Sequence, residues 1–155
     1  MTKAKWDLFR MIRQMTLNEM NNVNEALADH MPKGFHNNIR WNLGHIYNAA
    51  GGLLSTFTGE ENKVPESYPA LFERGTKPAD WQGDIPSLSE LRTRLKEQID
   101  ELEFAYEKRL NDALISPCDL GGVQLTTIGE LLDFISFHEG LHIGTIKGLK
   151  RSLGL

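Results

Sequence analysis

Apolar residues recur at helical spacing in four long stretches of this chain, and polar residues, proline and glycine fill the intervals. In the first, Lys3 to Ala28, the apolar positions are Trp6, Phe9, Ile12, Met15, Leu17, Met20, Val23 and Leu27. With no proline inside it, this stretch predicts one long amphipathic helix. His30-Met31-Pro32-Lys33-Gly34 ends it. The second helix opens at Asn37 or Asn38, residues suited to cap it, and runs to about Thr58. Leu43, Ile46, Tyr47, Ala50 and Leu53/Leu54 make its apolar face, and Trp41, His45, Ala49 and Gly52 an adjacent strip. The small residues of that strip admit a second helix, or a ligand, at close range. The third helix opens at Ser87 or Ser89, with Glu90 in capping-box spacing to Ser87. Its stripe is Leu88, Leu91, Leu95, Ile99, Leu102, Ala105/Tyr106 and Leu110. The fourth, Thr127 to Leu153, carries Ile128, Leu131, Ile135, Ile146 and Leu149, with Thr126 or Thr127 as cap and Glu130 as its capping-box partner.

The intervals decide the topology. Val64-Pro65, Tyr68-Pro69, Lys77-Pro78 and Ile85-Pro86 exclude any long helix between Gly59 and Pro86. Ala70 to Arg74 is short enough for one turn of helix, and Phe72 and Trp81 are the residues to pin the segment to the body. So long a connection is either a crossover along a bundle or a lid. Asn111 to Thr126 reads as a loop, with a tight turn at Gly121-Gly122. The expected architecture is all-α: a single domain, residues 1–155, forming a four-helix bundle with a long crossover between helices two and three. The short link between helices one and two makes those two antiparallel neighbours, while helix three is free to start from either end.

Composition narrows the function. The chain has 155 residues, 40% of them hydrophobic, with a net charge of −4 and its basic residues scattered. Phosphate binding needs a concentrated basic surface, which argues against nucleic acid as a partner. No apolar run can span a membrane. The amino terminus goes straight into an amphipathic pattern without the apolar core of a signal peptide, so the expected location is cytoplasmic. The only cysteine, Cys118, excludes an internal disulfide. Its place after Ser116-Pro117 suggests a loop, and no neighbour would lower its pKa to make a nucleophile.

The chemistry lies in the fourth stretch. His138 and His142 fall seven residues after Leu131 and Ile135, on the inward stripe. Two imidazoles one turn apart are poor core residues, because each has two nitrogens needing partners. A divalent ion between them removes the difficulty. His138-Glu139-Gly140-Leu141-His142 also matches H-E-x-x-H, in which Glu139 would be a general base. Such metalloproteases take their third ligand from downstream, and none of the thirteen residues after His142 is His, Asp, Glu or Cys. The third ligand must come from upstream. His30 and His36 sit in or beside a Pro/Gly turn, whereas His45 lies within helix two. His45, His138 and His142 with an open position form a catalytic pattern, since the ion can hold and acidify water. Glu139 stands one residue past His138 and is rotated off the ligand face. It orients a ligand or acts as base, or else is a capping or solvated carboxylate. Tyr47 and Asn48 are placed to reach the mouth of such a site from helix two.

Trp41-Asn42-Leu43-Gly44-His45-Ile46 resembles the W-x-L-G-H-L signature of the DinB-like (YfiT-like) superfamily. His138-Glu139-x-x-His142-x-Gly144 and the ending Lys150-Arg151-Ser152-Leu153-Gly154 resemble its H-E-x-x-H-x-G-Q segment and R-x-L-G terminus. The resemblance implies a four-helix bundle that holds a divalent metal, often zinc or nickel, through His45, His138 and His142. It also implies a small-molecule substrate or thiol as partner, a homodimer, and a metal-dependent activity of thiol S-transferase (for example with bacillithiol) or hydrolase type. One departure is Thr145, where the family often has glutamine. Two other readings remain open at this point: a non-catalytic binding or sensing module, and a plain bundle whose histidines are satisfied core residues.

Overall fold

Every long apolar stripe becomes a helix in the computed structural model, which describes residues 2–155. Helices α1 (Thr2–Glu19), α3 (Ile39–Thr58), α5 (Leu88–Tyr106) and α6 (Ile128–Ser152) form the bundle, with short helices α2 (Glu25–Asp29) and α4 (Tyr68–Phe72) in the connections. Their starts are chemically specified. Asn38, Ser87 and Thr127 each accept a hydrogen bond from the backbone N–H three residues on, and Glu130 completes a capping box with Thr127. Gly59 closes α3 in the left-handed conformation, at φ 75°.

Side-chain pairs set the directions. Lys5 meets Asp133, Arg13 meets Glu139 and Glu19 meets Lys150, so α1 and α6 run in parallel. His45 meets His138 and Asn42 meets His142, so α3 and α6 are antiparallel. Gln98 donates to the Tyr47 carbonyl and Tyr106 to Glu60, so α5 runs with α3. The crossover therefore returns the chain to the end from which α3 began. The expectation that the first and second long helices are neighbours is corrected: α1 and α3 each pack on α5 and α6 and stand at opposite corners.

The first stretch is also shorter than expected. α1 ends at Glu19, Asn22 adopts φ 62°, and Asn24 caps α2 by accepting from Leu27 N–H. Asparagine tolerates the left-handed region and caps well, so Asn21-Asn22-Val23-Asn24 ends a helix that the apolar spacing alone would continue. The loop expected over Asn111 to Thr126 is an antiparallel hairpin, β1 (Ala113–Leu120) and β2 (Val123–Thr127), with Leu120 opposite Val123. Its two-residue turn is Gly121-Gly122, both at positive φ, the conformation that two-residue hairpin turns demand. Cys118 is buried within β1 and not in a loop. Burial, and then Asp119, push its thiol pKa up. Among the described residues, no helix is long and apolar enough to cross a membrane.

The crossover docks through Phe72, which is fully buried against α3 at Gly44. A Cβ at Gly44 would lie 2.5 Å from the Phe72 ring. Gly44→Ala is therefore expected to destabilise the protein by about 1–3 kcal/mol through overpacking, despite alanine's better helix propensity. Urea unfolding measures it. A neutral or stabilising result would mean the crossover does not sit on this helix.

Candidate metal centre

Antiparallel packing of α3 on α6 brings His45, His138 and His142 together. His138 Nε2 is 3.3 Å from His45 Nε2 and 3.2 Å from His142 Nε2. One ring nitrogen from each histidine lies within 4.8 Å of the other two. The outer nitrogens of two rings are already engaged. His45 Nδ1 donates to the Phe72 carbonyl at 2.6 Å, and His142 Nδ1 donates to Asn42 Oδ1 at 2.8 Å. The Asn42 amide nitrogen is itself committed to Asn37 Oδ1 and the Asn38 carbonyl, which leaves its oxygen as the acceptor.

These bonds fix the tautomers, so His45 and His142 both point Nε2 lone pairs inward. His138 Nε2 carries at most one hydrogen. Three convergent nitrogens thus share at most one proton, an arrangement that protons leave unsatisfied and a cation resolves. Zinc–imidazole bonds of about 2.0–2.1 Å at tetrahedral angles hold nitrogens roughly 3.3–3.4 Å apart. The two short nitrogen–nitrogen distances here agree with that spacing.

The electrostatics favour the ligating state. Burial pulls the His138 pKa down to about 4 and that of His142 to about 3, with mutual repulsion among the imidazoles adding to it. His45 is lowered by burial, against the opposing effect of its bond to Phe72. All three rings are neutral at pH 7, as a metal ligand must be. Trp41 stacks on His45, centroids 4.6 Å apart and planes 10° from parallel, and its indole N–H donates to Thr76. The W-x-L-G-H spacing now has a physical account. Trp41 covers His45, Leu43 enters the core, Gly44 admits Phe72, and Phe72 orients the His45 ring.

Glu139 departs from the base expected as one of its roles. Its carboxylate is 1% exposed and turned toward α1, where it accepts from Arg13 Nε at 2.8 Å, Arg13 Nη2 at 3.1 Å and Thr16 Oγ1 at 2.6 Å. One residue past His138 is a rotation of about 100° around the helix, which directs Glu139 into the core beside the ligand face. Arg13 also donates to Gln98 Oε1 and the Leu95 carbonyl, so the buried charge pair is fully hydrogen-bonded.

The remaining candidates separate cleanly. His30 and His36 are exposed on the surface. Tyr47 packs edge-on against Tyr68 and lines a different cavity. Asn48 joins His45 and His138 in lining a cavity of about 590 Å³. Thr145 donates to the Leu141 carbonyl of its own helix. Sequence reasoning gave no role to Asn42 or Arg13. The signal for Asn42 was a short amide within the apolar run of α3. That for Arg13 was its position four residues after the buried Phe9, on the inward face.

Compared with known proteins, residues 8–146 match the family model described as the DinB superfamily. No curated protein matches the chain.

Proposed function

The chain belongs to the DinB superfamily, and on that premise we propose that it is a metal-dependent enzyme of thiol S-transferase or hydrolase type. His45, His138 and His142 would hold zinc or nickel and leave a coordination position for water or a low-molecular-weight thiol such as bacillithiol. The observation that carries this reading is the convergence of three neutral imidazole nitrogens, two of them oriented by bonds to Phe72 and Asn42. When bound, the ion supplies Lewis acidity, which favours the deprotonated form of water or of a thiol near neutral pH. The chain's own part is to aim the ligands, shield His45 under Trp41 and present the neighbouring cavity to a small molecule. Glu139 serves in this reading as the buried partner of Arg13, which fixes the α6 turn that carries His138.

The test is the metal content of protein purified without a histidine tag, beside His142→Ala. About one zinc or nickel per chain, lost in the variant, supports the centre and opens a screen of thiol transfer and hydrolysis. Absence of metal from both, with no gain in thermal stability on adding either ion, refutes it.

A second reading has its own observation. With Glu139 held by Arg13 and Thr16, the carboxylate next to His138 is committed to the core and not free as a base, which suits a binding or sensing module that keeps the centre without turnover. Saturable ligand binding with no product formed from any thiol or ester tested would favour it.

The depressed imidazole pKa values have a consequence for the metal-free protein. A histidine whose folded pKa lies below its unfolded value of 6.5 takes up its proton more readily when unfolded. Stability therefore falls as pH drops through the window from about 6.5 toward 4 and 3, the folded values of His138 and His142. The melting temperature of metal-free protein is expected to decline between pH 7 and pH 5, and less steeply in the His138→Ala/His142→Ala variant. Equal slopes would contradict the buried, neutral state of these rings.

A further inference from the structure

Three asparagines of α3 and its cap are buried, and one of them, in the middle of the helix, makes no side-chain hydrogen bond among the described residues. Asn38 accepts from Trp41 N–H and donates to the Asp29 carbonyl. Asn42 uses its amide nitrogen on Asn37 and Asn38 and its oxygen on His142. Asn48 is 7% exposed, yet among the described residues its carboxamide makes no hydrogen bond. Its polar atoms are not sealed from solvent, since Trp6 Nε1 is the only fully buried side-chain polar atom without a partner among the described residues, and the amide therefore keeps its donors and acceptor for water or a ligand. Asn48 stands one turn after His45 and lines the same cavity as His45 and His138. The amide is thus uncommitted in the wall of the cavity onto which His45 and His138 open.

We propose that Asn48 is the group that recognises the substrate, and that the substrate is a compact, partly apolar molecule bearing a carbonyl oxygen. This rests on the metal reading above. The cavity, about 590 Å³, falls in the range of small-molecule sites, and Ala49, Leu53, Leu120 and Phe134 supply apolar wall beside the charged Glu73 and Arg74. That wall suits a hydrocarbon body. At the histidine end, an oxygen that faces a Lewis-acidic ion and accepts a hydrogen bond from the Asn48 Nδ2–H₂ group satisfies both at once. A carbonyl oxygen, with two lone pairs, does so. An alkyl group there would leave the amide unpaired, which makes Asn48 a specificity device as well as an anchor.

The probe is benzohydroxamate, whose apolar ring and carbonyl oxygen match the cavity and whose oxygens bind divalent ions. Its affinity is measured by calorimetry on zinc-loaded wild type, Asn48→Leu and Asn48→Asp, with zinc stoichiometry and metal-free melting temperature determined for each. The expected result is binding weakened about tenfold or more in both variants, the size of one lost hydrogen bond. Zinc stoichiometry stays at the wild-type value. The metal-free melting temperature of Asn48→Leu is equal to or above wild type, because no internal bond is lost. Unchanged affinity overturns the proposal. So does loss of zinc in the variants, which would make Asn48 a metal ligand, or a large drop in metal-free stability, which would make it structural. Failure of the underlying metal reading is distinguishable, since it shows as wild-type protein that takes up no zinc.

Discussion

Arg13→Met is expected to destabilise the fold by about 3–5 kcal/mol, the usual penalty for leaving a buried charge without its partner. Both members of the Arg13–Glu139 pair are 1% exposed, so solvent does not screen what remains. In the variant the Glu139 carboxylate keeps the Thr16 hydroxyl and loses two charge-assisted bonds, while Gln98 and the Leu95 carbonyl lose a donor. The unpaired carboxylate therefore draws water into the bundle, which loosens α1 against α6. Arg13→Met/Glu139→Leu should recover much of the loss, because the pair's desolvation cost disappears with it. Equilibrium unfolding of wild type, both single variants and the double variant gives the coupling between them. A loss under about 1 kcal/mol for Arg13→Met would place the pair in contact with solvent and contradict the packing described.

The same pair shows where sequence reading works and where it stops. Helix existence was legible because burial imposes a 3.6-residue period on side chains, and the caps at Asn38, Ser87 and Thr127 are local chemistry. The convergence of His45 with His138 and His142 was also legible, because each lies on or beside an apolar stripe that had to turn inward. Which way an isolated polar residue turns was not. Ile12 and Met15 were counted on the inner face of α1, whereas Arg13 and Thr16 occupy it and Met15 is exposed. A charged residue on an inward position is readable only once its partner is known, and Glu139 lies 126 residues away. The break after Glu19 was missed for a different reason: it rests on left-handed backbone at Asn22, a signal present in the sequence but overridden by apolar spacing. The turn at Gly121-Gly122 was legible, whereas the strands on either side of it, Ala113–Leu120 and Val123–Thr127, were not, because they lack a regular alternation of buried and exposed residues.

Zinc is expected to raise the melting temperature of the wild-type protein and to leave that of His142→Ala close to its metal-free value. An ion that binds only the folded chain stabilises it by about 4 kcal/mol at a thousandfold excess over its dissociation constant. For a domain of this size that corresponds to roughly 8–16 °C. The effect should be large here because little has to be ordered on binding. His45 is held by Phe72 and Trp41 and His142 by Asn42, so the cluster exists before the ion arrives. Removing His142 takes away one of the three convergent nitrogens and leaves Asn42 Oδ1 without its donor. His36→Ala serves as the control, since that ring is exposed and outside the cluster, and it should respond to zinc as wild type does. If His142→Ala gains as much stability from zinc as wild type, the ion binds elsewhere, and the three convergent nitrogens are a packing arrangement. If chelation returns wild type to its own metal-free melting temperature and leaves His142→Ala unmoved, the stabilisation belongs to this cluster, and the crossover residue Phe72 becomes part of the metal's own support.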